Sequence, residues 1–146
     1  MKLTNTLHLV EHYNRLYGFD LLDAYDHCVL VLTKFALLNR VQNQEPCQVK
    51  LALADAYMAC VMMADSYARC ANLRPDSWDQ LPSLAQAFTS LALDVSVDRD
   101  LGPAISDLVA HLWGIGEDLG YDLGQCLIER VAGLLDQEEM DYASMA

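Results

Sequence analysis

The chain opens on a spacing that suits a metal: His8, Glu11 and His12 stand in the order H-x-x-E-H. On a helix, His8 and His12 lie one turn apart on one face, where two imidazoles can hold Zn²⁺ while the glutamate between them acts as a base. Such a site needs a third, acidic ligand from a separate supporting helix. The segment opens a small, all-helical pattern that marks no such ligand, so the two histidines are expected to be incidental surface residues. Five cysteines, Cys28, Cys47, Cys60, Cys70 and Cys126, make an odd number with no C-x-x-C pair. That usage points to free thiols in a reducing compartment, most of them buried as small hydrophobes. No spacing sets a base beside a serine or cysteine nucleophile, and there is no Gly-rich phosphate loop.

The carboxylates carry the remaining chemistry, and they are unevenly placed. The formal net charge is −12, yet the seven acids among residues 1–74 are balanced by seven bases, while residues 75–146 hold fourteen acids against only Arg99 and Arg130. A field of that sign repels nucleic-acid phosphates, so direct DNA or RNA binding is not expected. It attracts a basic protein patch or divalent cations. Asp98, Asp100, Glu117, Asp118 and Asp122 are the candidate residues of an acidic interaction surface.

The elements that must position these groups read as helices almost throughout, at about residues 3–17, 20–42, 48–71, 81–96, 102–118 and 121–137, with no period-2 strand. Gly18 closes the first helix, Asp20 or Asp23 caps the second, Pro46 marks the break before the third, and Pro82 and Pro103 suit first-turn positions. Gly120 ends one helix and the Tyr121-Asp122 pair opens the next, while the segment from Glu138 to Tyr142 is expected to fray. The third helix is apolar around most of its girth, which predicts burial on several sides. Its Met58, Met62 and Met63 are expected as core filling rather than as a groove lining. With 146 residues, of which 53% are hydrophobic, the chain can bury one sizeable core. The fold class is therefore all-α, a four- to six-helix bundle forming a single domain over residues 1–146. A charge or a proline interrupts the apolar runs, and no membrane span is read from them. A cytoplasmic location is the expectation that follows.

Residues 20–71 and 81–137 also read as a tandem helical-hairpin repeat. Thr33, Ala36 and Leu37 match Thr89, Ala92 and Leu93, and Ala52 and Asp55 match Ala104 and Asp107, with the connector four residues shorter in the second copy.

These residues carry a family resemblance. Together with the opening segment Leu9 to Gly18 and the closing segments from Asp107 to Trp113 and from Asp118 to Leu123, the two hairpins resemble the all-α nucleoside triphosphate pyrophosphohydrolases of the MazG type. The resemblance covers most of residues 8–135. It implies a helical bundle, an E-E-x-x-E motif on one helix, an E-x-x-D motif on the next, and Mg²⁺ held between them against the substrate phosphates. Carboxylates at i, i+3 and i+4 share a helix face, as a hard cation with oxygen ligands requires.

This chain departs from that pattern where the chemistry needs it. The first copy places Lys34, Phe35 and Leu38 at the three glutamates, then Ala52 and Asp55. The second offers Ser90, Leu91 and Asp94, then Ala104 and Asp107. Asp55, Asp94 and Asp107 are what remains of a vestigial metal site. The expectation is a non-catalytic MazG-like binding or regulatory protein, of mobile-element or phage type, that needs no cofactor, engages a protein with a basic patch and forms a homodimer. The alternative the resemblance implies is a Mg²⁺-dependent nucleoside triphosphate pyrophosphohydrolase, or a sensor that binds nucleotide without hydrolysing it.

Overall fold

A computed structural model describes residues 2–145, and the side chains of all of these except residues 139 and 142–145. Six α-helices, with no strand among the described residues, follow in order: α1 (Leu3–Leu16), α2 (Ala24–Val41), α3 (Pro46–Tyr67), α4 (Leu84–Ser96), α5 (Gly102–Leu119) and α6 (Leu123–Met145). A short 3₁₀ turn, Phe19–Leu21, joins α1 to α2.

The boundaries follow local chemistry. Gly18 takes φ +76°, a left-handed conformation that costs a residue without Cβ little. Asp23, not Asp20, caps α2: its Oδ1 accepts from the Asp26 N–H at 2.8 Å. The helix expected from residue 20 is thereby delayed to Ala24, and the residues before it tighten into the 3₁₀ turn. Pro46 opens α3 in its first turn. That helix stops at Tyr67 rather than near 71 because Ala68 leaves helical geometry at φ −154°. The chain then doubles back, bringing the Leu73 carbonyl to accept from the Tyr57 hydroxyl.

Ser83 and Gln86 form a reciprocal capping box at 3.1 and 3.0 Å, which fixes the start of α4 at Leu84 instead of at Pro82. Asp122 Oδ1 accepts from the Gln125 N–H at 3.1 Å and caps α6. Beyond residue 137, where a frayed tail is expected from sequence, the backbone of α6 stays helical to Met145. Gln137 donating to Asp141 at 3.0 Å, one turn on, supports that extension.

Helix α3 is the centre of the bundle, packed against α1, α2, α5 and α6. Every residue from 56 to 64 is buried, and small side chains at Ala56, Ala59, Cys60 and Ala64 let neighbouring helices approach closely. It is the one helix among the described residues long and apolar enough to cross a membrane, and 67% of its apolar window lies buried inside the fold. Helix α5 presents Ile105, Leu108, Val109 and Leu112 to the same core, which also takes in Leu7 and Val10 from α1 and Leu127 and Val131 from α6. Fully burying one such aliphatic side chain contributes about 1.5–3 kcal/mol.

The chain thus contains two helical hairpins, α2–α3 and α4–α5, and α2 also packs on α4. There the Phe35 and Phe88 rings meet edge to face at 5.0 Å.

Candidate functional site

In the first hairpin, Phe35 and Leu38 point into the core at 6% and 1% exposure, where a metal carboxylate could not meet solvent or substrate. Lys34 and Asp55 instead border an opening of about 280 Å³ between α2 and α3, whose other walls are Leu37, Val41, Leu51 and Ala52 with Gln44 and Gln48. Asp55 is not free for a cation: its Oδ1 accepts from Arg130 Nε of α6 at 2.9 Å. One carboxylate engaged by a guanidinium, with an ammonium on the same opening, is a poor fit to Mg²⁺.

The second hairpin departs in the same direction. Leu91 is fully buried and Ala104 nearly so, leaving Ser90 exposed and Asp94 and Asp107 half-buried on α4 and α5. Among the described residues, no group of three His, Cys, Asp or Glu side chains is placed to hold a metal ion. Asp55, Asp94 and Asp107, grouped from sequence as a vestigial site, stand on three different helices without converging into such a group.

The acids of the second half divide as well. Asp98 and Asp100 lie in the α4–α5 turn, whereas Glu117, Asp118 and Asp122 lie where α5 gives way to α6. Residues 102–116 of α5 separate the two groups, a helix length of about 22 Å. They therefore make two acidic ends rather than one surface. Three of the five have structural duties: Asp100 Oδ1 accepts from the Gly102 N–H at 2.9 Å, Asp122 caps α6, and Glu117 Oε2 accepts from Trp78 Nε1 at 2.7 Å. Gly114 is what lets that tryptophan lie on α5, since a Cβ there would come within 3.2 Å of the indole. Gly116 is similarly close-packed, 3.0 Å from the Tyr121 carbonyl oxygen to where its Cβ would stand.

His8 is exposed and faces Glu11 across 3.3 Å, so the first histidine and the acid of the H-x-x-E-H pattern contact each other. His12 turns toward a different feature, a groove between α1 and α6. All five cysteines are free thiols. Burial pushes Cys60 up to about 12 and raises Cys28 and Cys126, which keeps all three protonated and poorly nucleophilic.

Three features escape a reading of the sequence. Asn14, fully buried, directs Nδ2 at the Met62 carbonyl, Asp65 Oδ2 and Ser66 Oγ at 3.0–3.3 Å. Arg15 Nη2 reaches the other Asp65 oxygen at 3.0 Å. This pair fastens α1 to α3, and a polar Asn14 on the buried face of α1, followed by Arg15, is the trace it leaves in the sequence. His27 is also fully buried, with its ring edge-on to Tyr67 at 5.7 Å and neither nitrogen in a well-formed hydrogen bond. The α1–α6 groove is floored by Met58, while Met62 and Met63 fill the core.

No family model matches the chain, and neither the curated proteins nor the solved structures include a significant match to it.

Proposed function

We propose that this chain is a non-catalytic binding or regulatory protein on a degenerate MazG-like frame, and that its acidic second half engages a protein partner bearing a basic patch. The observation that carries this reading is the burial of Phe35, Leu38, Leu91 and Ala104. Positions that would have to present metal carboxylates are spent on the core, and a buried carboxylate without a partner is strongly disfavoured.

The duplication belongs to the same reading. Thr33 and Thr89 each donate a hydroxyl hydrogen bond to the carbonyl four residues earlier, both at 2.8 Å. The matched pairs Ala36 with Ala92 and Leu37 with Leu93 are exposed in both copies. Core packing does not demand identity at such positions, so their agreement supports common descent of the hairpins.

A homodimer fits the face of α2 on which Tyr25, Val29 and Leu32 stand exposed at i, i+4 and i+7. This face belongs to the charge-balanced half of the chain, so a second copy meets no net repulsion there. Val29→Asp should convert a dimer to monomer in sedimentation experiments.

The nucleotide-sensor alternative draws on Lys34 at the α2–α3 opening. One experiment separates the readings: titrate Mg²⁺ with a panel of nucleoside triphosphates, recording thermal shift and pyrophosphate release. The binding reading expects neither. Stabilisation by nucleotide without release would favour the sensor. Release that disappears in the Asp94→Ala, Asp107→Ala double variant would favour the enzyme. Partner association should weaken on combining Asp98→Asn with Asp118→Lys, which removes acid from both ends of α5 without touching a cap, and should fall with added salt.

A further inference from the structure

Between α1 and α6 the surface opens into a groove of about 230 Å³, walled by Leu9, Tyr13 and Leu16 on one side and Leu134 and Leu135 on the other, over the Met58 side chain. Its walls are well exposed for apolar groups, with Leu16 at 57% and Tyr17 at 52%. Tyr13 and Tyr17 lie with ring centroids 4.5 Å apart, forming a broad aromatic ledge, and the Tyr17 hydroxyl faces Glu138 at 3.4 Å. The polar rim is acidic on the α6 side, where Glu138 and Asp141 stand.

We propose that this groove receives an amphipathic, basic helix from a partner protein. This deepens the binding reading above and rests on its premise that the acids face a cationic partner. Three observations choose the occupant. The floor and walls are side chains of helices whose backbone groups are already paired, so an extended guest would leave its own amides unsatisfied over apolar surface, whereas a helix brings its hydrogen bonds with it. The lining on α6 runs from Val131 to Asp141, about 15 Å of helix, which matches roughly three turns of a guest. The charge is one-sided: the α6 side of the groove carries Glu138 and Asp141 and, among the described residues, no base. Basic residues flanking a guest's apolar stripe answer that rim, while a second copy of this chain would set acid against acid. Met suits the floor because its unbranched thioether adapts to different guest side chains.

The test uses the full chain labelled with ¹³C on its methionine methyl groups. The probes are synthetic helices of about three turns with leucines at i, i+3, i+4 and i+7, flanked either by arginines or by glutamates. The arginine helix should bind and shift the Met58 methyl resonance, and the glutamate helix should do neither. Leu16→Glu and, separately, Glu138→Lys should each weaken binding at least about tenfold. Both sites are surface positions, and circular dichroism will show that the variants fold. Equal binding of the two helices, or an unmoved Met58 signal, overturns the proposal, as does a Met58 shift that follows protein concentration with no peptide added. Binding that ignores both groove variants but is lost with Asp98→Asn and Asp118→Lys would overturn the groove assignment and leave the broader reading standing. Absence of binding by any basic helix would count against both.

Discussion

Arg130 Nε on α6 donates to Asp55 Oδ1 on α3 across 2.9 Å, joining the central helix of the bundle to its last helix. Asp55 is the sole acid at the metal positions that the proposed MazG-like frame implies for the first hairpin, and its cation is a side chain of the same protein. Arg130 is also one of only two bases after residue 74. The same contact therefore spends half of that region's positive charge on holding the fold and leaves its acids largely uncompensated.

A double-mutant cycle of Asp55→Asn with Arg130→Met, followed by urea denaturation, measures the contact. Both side chains are partly exposed, at 21% and 30%, which places the coupling near the upper end for surface pairs, about 1 kcal/mol and reduced by salt. A coupling indistinguishable from zero would remove this ion pair as a contributor to the α3–α6 junction.

His27 predicts a pH dependence of stability. Burial lowers its pKa in the folded protein, and the Phe19 backbone and the carboxylates of Asp23, Asp26 and Asp20 pull the other way without restoring the ordinary value. Between the folded value and the unfolded value near 6.5, the unfolded chain binds the proton and the folded chain does not. Stability therefore rises with pH through that window, is fully present above it, and is lost as pH falls below about 6.5. Denaturation midpoints of the native protein and of His27→Leu, compared from pH 7.5 to 5, should show a shallower slope in the variant. Identical slopes would remove His27 as the origin.

The helical fold was legible because its punctuation is local. Asp23, Pro46 and Gly120 act within one turn of where they stand, and the breadth of apolar residues on α3 reports burial without reference to any partner. Where the structure differs, a local choice had two acceptable answers: Ser83 with Gln86 outcompeted Pro82 as the start of α4, and Asp23 outcompeted Asp20 at α2. The candidate site was less legible. Asp98 and Asp100 precede α5 whereas Glu117, Asp118 and Asp122 stand at its far end, so the helix holds apart acids that the sequence counts together. The α1–α6 groove joins residues more than a hundred positions apart, and no periodicity within either helix announces the pairing.

Glu117 illustrates a residue whose charge matters less than its acceptor. It receives the Trp78 indole N–H at 2.7 Å while Trp78 lies against Gly114 and stacks near Trp113 at 6.3 Å. Glu117→Leu should cost about 1 kcal/mol and shift tryptophan emission to the red as the 72–83 connector loosens, whereas Glu117→Gln, which keeps an acceptor oxygen, should retain most of both. Equal effects of the two substitutions would assign the role to charge instead.

The sharpest prediction concerns installing the carboxylates that the proposed MazG-like frame would carry. Ser90 and Leu91 are adjacent at two expected glutamate positions, yet Ser90 is exposed and Leu91 is wholly buried on α4. Ser90→Glu should change stability by no more than about 0.5 kcal/mol, as surface substitutions do. Leu91→Glu removes an apolar side chain and buries an acid with no partner, so it should destabilise by about 3–5 kcal/mol or prevent folding. Urea denaturation of the two variants side by side decides the matter, with Leu91→Ala, at about 2–5 kcal/mol, separating lost packing from the buried acid. If Leu91→Glu were tolerated as well as Ser90→Glu, the face of α4 assigned to the core would have to be open to solvent. A Mg²⁺ site on the proposed frame would then require few substitutions. Strong destabilisation means that core packing holds Leu91 in place, and that a metal site of the proposed kind could not be built on this hairpin without rebuilding its core.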